Sequence, residues 1–88
     1  MTWVKVCGIT DEDALDAAVD GGADAVGFVL FPGSPRFLSL DRAASLMAGV
    51  PIATFIVTVD LTPAEALVAA EYTGAVGAEN ILFSAGDS

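Results

Sequence analysis

Four side chains have a type and a position that could do chemistry: Lys5, Cys7, Arg36 and Asp60. A thiol takes a proton or attacks an electrophile as the thiolate. With a reference pKa of about 8.5, Cys7 is a weak base at neutral pH unless its surroundings favour the charged form. Arg36 carries a planar fork of donors that suits a carboxylate, and the preceding Pro32-Gly33-Ser34-Pro35 limits the freedom of its loop. Lys5 stands two positions before Cys7, so in a strand the two share a face and can interact electrostatically. The plainer reading of Lys5, an interior lysine paired with a carboxylate, ranks first. Asp60 reads as a capping or solvated residue. Taken alone, Cys7 is more often a small buried apolar residue than a catalyst, and Arg36 a surface charge. A fold that brings the two together would change that.

The elements that must position them alternate. Four apolar, strand-like runs are separated by three amphipathic segments, the pattern of β/α units around a parallel sheet. The first strand is expected over Trp3 to Cys7. Thr10 followed by Asp13 resembles a capping box opening a helix over Glu12 to Asp20, closed by Gly21 and Gly22. Ala25 to Phe31 is apolar without alternation, as expected of a parallel strand covered on both faces. Ser39 caps a helix through Arg42, Ala43, Ala44 and Met47 that ends near Gly49 and Pro51. Ile52 to Val59 is rich in β-branched residues and reads as the third strand. Thr62, with Pro63 first in the helix and Glu65 three residues on, is the clearest helix start, and Gly74 its stop. A fourth strand is expected at Asn80 to Ser84. The order β-α-β-α-β-α-β describes a partial barrel or a small open sheet. In either, ligands sit at the C-terminal strand ends, so Cys7, ending the first strand, and Arg36, after the second, fall on one rim.

Composition bounds the rest. Eighty-eight residues without a linker or a composition shift imply a single domain over residues 1–88. The chain is 55% hydrophobic with a mean hydropathy of +0.69, enough to supply a core, yet no apolar run reaches the ~18–20 residues of a membrane span. A net charge of −9, with only three basic residues, argues against nucleic acid as a partner. One cysteine forms no internal disulfide, and the opening Met-Thr-Trp-Val-Lys-Val lacks the features of a secretory signal. A cytoplasmic location is expected.

The run Val4-Lys5-Val6-Cys7-Gly8-Ile9-Thr10, then Gly22-Ala23-Asp24-Ala25-Val26-Gly27-Phe28, then Pro32-Gly33-Ser34-Pro35-Arg36 resembles, in order and spacing, the opening of phosphoribosylanthranilate isomerases. The resemblance is strong over residues 4–48, moderate through Val59 and Leu67, and poor after Gly77. It implies a TIM-type β/α barrel, of which this chain would form about the N-terminal half, since eight strands take ~250 residues. It implies an Amadori rearrangement of an N-linked phosphoribosyl anthranilate, an aminoaldose, to the aminoketose, in tryptophan biosynthesis, with no metal or organic cofactor. It implies Cys7 as the general base that takes the sugar C2 proton after ring opening, and Arg36 as the receiver of the anthranilate carboxylate.

The resemblance also implies parts these residues do not supply. The family's general acid is an aspartate on a much later strand, and its phosphate-binding loops follow the last two strands. The fourth-strand region departs as well: where the family shows a Gln-Leu-His-Gly-like run, this chain has Asn80-Ile81-Leu82-Phe83-Ser84-Ala85-Gly86. An enzyme segment inactive by itself is therefore the leading expectation, and a self-assembling structural half-barrel without catalysis the second. A flavodoxin-like binding module is disfavoured, because the strand ends carry no glycine-rich phosphate loop and no acidic cluster. In either leading case the open sheet should make the chain a homodimer or a larger assembly.

Overall fold

Three helix starts and four strands are written locally in the sequence, and the computed structural model, which describes residues 2–81, contains them in the expected order. The strands are β1 (Lys5–Cys7), β2 (Ala25–Val29), β3 (Ala53–Val59) and β4 (Gly77–Ile81), and the helices between them are α1 (Glu12–Asp20), α2 (Leu40–Met47) and α3 (Pro63–Thr73). The sheet is parallel throughout, in the order β1-β2-β3-β4, which is the architecture of half a TIM-type barrel. Among the described residues no helix is long and apolar enough to cross a membrane.

The core lies between one face of the sheet and the helices. Val26, Phe28 and Ile56 are fully buried, and Leu15, Leu38, Ala43, Leu46, Met47 and Ala70 pack around them. On β3 burial alternates: Thr54, Ile56 and Thr58 are buried on this helix-covered face, whereas Ala53, Phe55, Val57 and Val59 face the other way and are only half-buried. Ala25 through Phe28 on β2 are all buried, as the unbroken apolar run implied. The opposite, inner face carries no helix among the described residues.

Four local expectations shift, the first being that β1 begins at Lys5, two residues after the expected Trp3. The cap of α1 is Asp11, whose Oδ1 accepts the Ala14 N–H at 2.8 Å, in place of Thr10. A carboxylate one residue later reaches the same kind of orphan donor, and the helix limits are unchanged. β2 ends at Val29, because Leu38 N–H then bonds Val29 O and Phe37 forms an isolated bridge to Val29, turning the returning loop onto the strand end. β4 begins at Gly77, three residues before the expected Asn80; positions 82–84 of that expected strand lie outside the described residues.

α3 begins with a complete capping box behind Pro63. Thr62 Oγ1 accepts the Glu65 N–H at 3.2 Å, and Glu65 Oε1 accepts the Thr62 N–H at 2.9 Å. Its end is a left-handed Gly74 at φ 82°, a conformation that disfavours side chains. The Thr62 backbone N–H, and then the Thr62 hydroxyl bond, hold the Glu65 carboxyl below its ordinary value. A depressed folded pKa gives a stabilisation that is present above the ordinary glutamate range and disappears as pH falls through the folded value. Glu65→Ala, which removes the carboxylate from both bonds, is therefore expected to unfold at lower urea than the parent chain at neutral pH, with the gap narrowing as pH falls through the folded Glu65 value. A gap independent of pH would show that the carboxylate takes no part in the cap.

Candidate functional site

Alternation along a strand sends Lys5 and Cys7 to the same side of β1, and the register shows which side. Cys7 pairs with Gly27, Gly27 with Phe55, and Phe55 with Gly77, so the thiol belongs to the inner face of the sheet, the face without helices. Cys7 is exposed there. The chain then turns at Gly8, whose φ of 90° is left-handed, and both Gly8 N–H and Ile9 N–H bond the Gly27 carbonyl, at 3.0 and 3.2 Å. The strand end that presents the thiol is thus fastened to its neighbour immediately after the cysteine.

Arg36 reaches this strand end from the loop after β2. Ser34 organises that loop: its N–H bonds Phe31 O, its hydroxyl accepts the Arg36 N–H at 3.1 Å, and its carbonyl accepts the Phe37 N–H. The arginine side chain then lies across Gly8. A Cβ on residue 8 would stand 2.6 Å from Arg36 Cδ and 3.3 Å from its Nε. Gly8 therefore serves two needs, a left-handed turn and an open path for the guanidinium beside Cys7. Both Cys7 and Arg36 are exposed.

Lys5 takes the plainer of its two readings. Its ammonium forms an ion pair with Glu79 of β4 and sits 5.3 Å from the centre of the Phe55 ring, which Trp3 meets edge-on at 6.4 Å between ring centres. The pair crosses the inner face from one edge strand to the other. Asp60, at the exit of β3, adopts a left-handed φ of 55° and donates its N–H to Ile81 O at 2.8 Å. Next to it, Asn80 accepts from Thr58 Oγ1 and the Leu61 N–H and donates to Leu61 O, so its side chain holds the start of the β3–α3 loop.

The structure brings Cys7 and Arg36 to one rim and keeps Lys5 and Asp60 in supporting positions. Gly8, Gly27 and Glu79 were not singled out from the sequence. The Cys-Gly step was a visible signal for Gly8. Nothing local marks Glu79, whose importance arises from a partner three strands away.

No family model matches the chain. The N-(5'-phosphoribosyl)anthranilate isomerase of Rhodospirillum rubrum is 58% identical over 50 residues, which are 57% of this chain and 23% of that protein. Monomers generated from the dimeric phosphoribosylanthranilate isomerase of Thermotoga maritima superpose with a TM-score of 0.88 at 33% identity, over 93% of this chain and 42% of theirs. A phosphoribosylanthranilate isomerase in complex with reduced 1-(o-carboxyphenylamino)-1-deoxyribulose 5-phosphate gives the same TM-score and identity over 94% of this chain and 44% of that one. This chain thus spans less than half the length of these proteins.

Proposed function

The chain is a partial homologue of phosphoribosylanthranilate isomerases in sequence and fold, and from that premise we propose that it is the N-terminal part of such an enzyme, carrying its base and its carboxylate binder. The reaction moves a proton. Once the sugar ring of the aminoaldose has opened to a Schiff base, Cys7 takes the C2 proton, and the electron pair moves toward the imine nitrogen to give the enolamine, which tautomerises to the aminoketose. Arg36 holds the anthranilate carboxylate. The observation that carries this reading is the Arg36 side chain lying across Gly8, directly after Cys7. A ligand carboxylate on that guanidinium would stand beside the thiol. The o-carboxyphenylamino group of the compound bound in one relative is a ligand of this chemistry.

In the same reading the general acid and the phosphate site come from barrel segments beyond these residues, the chain works in the cytoplasm, and alone it self-associates. A purely structural half-barrel is less favoured, because the relatives it matches are isomerases.

Binding tests the site without turnover. Titrating the 88-residue chain with the reduced carboxyphenylamino-deoxyribulose phosphate, followed by NMR shifts, should show Arg36→Ala weakening affinity about tenfold or more, the worth of one charge-assisted bond. Equal affinity in parent and variant would reject Arg36 as the carboxylate receiver.

A further inference from the structure

Gly27 is a glycine that its backbone does not require. It sits inside β2 in ordinary strand conformation, outside the set of positive-φ glycines, and is buried between two neighbours. A strand interior is weakened by glycine, so one in a buried central strand marks a close approach by something else. Here the approaching atom is sulfur: a Cβ on residue 27 would stand 3.0 Å from Cys7 Sγ and 3.5 Å from both Cys7 Cα and Cβ.

The row Cys7, Gly27, Phe55, Gly77 runs across all four strands on the inner face, and small residues alternate with larger ones. Phe55 covers Gly77, where an added Cβ would meet its ring at 3.0 Å. The thiol covers Gly27 in the same manner. The Gly27 carbonyl also accepts the two N–H groups that follow Cys7, so residue 27 borders the cysteine at its sulfur and at its backbone.

We propose that Gly27 is a positioning residue for the Cys7 thiol, seating the sulfur against β2 in the space left by its missing side chain. The proposal rests on the reading of Cys7 as the base. A base must lie within hydrogen-bond reach of the proton it takes, and a shift of ~1 Å can cost ~10² in rate. A methyl group at position 27 would press the thiol a few tenths of an ångström off this seat, or into another rotamer, while leaving the carbonyl and its two bonds in place.

The test reads the thiol directly and needs no substrate, so its result stands apart from whether the chain belongs to an isomerase. The second-order rate of iodoacetamide alkylation is measured at one pH for the parent chain and Gly27→Ala, with far-UV circular dichroism and thermal melting as folding controls. The double variant Cys7→Ala/Gly27→Ala is melted alongside. A folded Gly27→Ala whose alkylation rate changes at least threefold supports the proposal; a folded variant with the parental rate overturns it. If Gly27→Ala does not fold, recovery of the fold in the double variant shows that the thiol was the obstacle and supports the seat. Failure of the double variant as well would mean that Gly27 is needed for other reasons, and overturns it.

Discussion

The purified 88-residue chain is expected to form aminoketose from N-(5'-phosphoribosyl)anthranilate no faster than its own Cys7→Ala variant. The proposed base and carboxylate binder are both on the described rim, yet a proton taken from C2 is useful only if another group delivers a proton to the leaving oxygen as the ring opens. By the family resemblance that acid lies on a later strand. Its loss alone typically costs ~10²–10⁴ in rate. By the same resemblance the phosphate site is a second expected deficit. Binding energy gained at a remote phosphate is normally spent on orienting the reacting carbon, so a chain without that anchor loses turnover as well as affinity. Chromatographic separation of substrate and product over long incubations at high protein concentration is the measurement. Turnover clearly above the Cys7→Ala chain would mean that acid and anchor are supplied within these residues or by a second copy, and would discard the division of roles proposed above.

Local signals in the sequence carried most of the fold. The capping box at Thr62 and Glu65 forms as its spacing indicates, since both bonds lie within four residues. The apolar run from Ala25 became a strand whose residues from Ala25 through Phe28 are all buried, in keeping with the lack of alternation in it. Errors arose where two local solutions compete. Thr10 and Asp11 both offer an oxygen to a helix start, and only the backbone path chooses Asp11. Likewise Leu30 and Phe31 continue the apolar pattern of β2, but the loop returning to Val29 ends the strand.

Features of the site that depend on distant pairing were much less legible. Lys5 was readable as a lysine in need of a carboxylate, whereas Glu79 as that carboxylate depends on the sheet carrying β1 and β4 to opposite sides of one concave face. The seat of Cys7 on Gly27 depends on the β1–β2 register, and the path of Arg36 over Gly8 depends on Ser34 shaping the loop. Residue types at a site are written in the sequence. The spaces that they fill are written in the register.

The second large effect expected is self-association. The inner face presents Trp3, Phe55, Val57, Val59 and Ile81 without a covering helix among the described residues, and Trp3 and Ile81 are 61% and 43% exposed. α3 adds Leu67, Val68 and Tyr72, all more than half exposed, on a helix that is apolar on several sides. The edges of the four-stranded sheet, β1 and β4, also hold backbone groups available to another strand, and among the described residues of these two strands the charged ones that discourage pairing are Lys5 and Glu79. Lys5 is already engaged with Glu79, so it brings no free charge to that surface. Against association stands a net charge of −9. That repulsion acts through solvent and is screened over ~8–10 Å at physiological salt, whereas each apolar side chain fully buried contributes ~1.5–3 kcal/mol. A few such side chains outweigh the repulsion, and two copies facing one another bury more than a few. Sedimentation equilibrium over a dilution series should therefore give a mass of two chains or more, with the midpoint moving to lower protein concentration as salt is raised. A folded species that keeps the monomer mass at high protein and high salt would refute self-association, and would require the inner face to be covered from within a single chain.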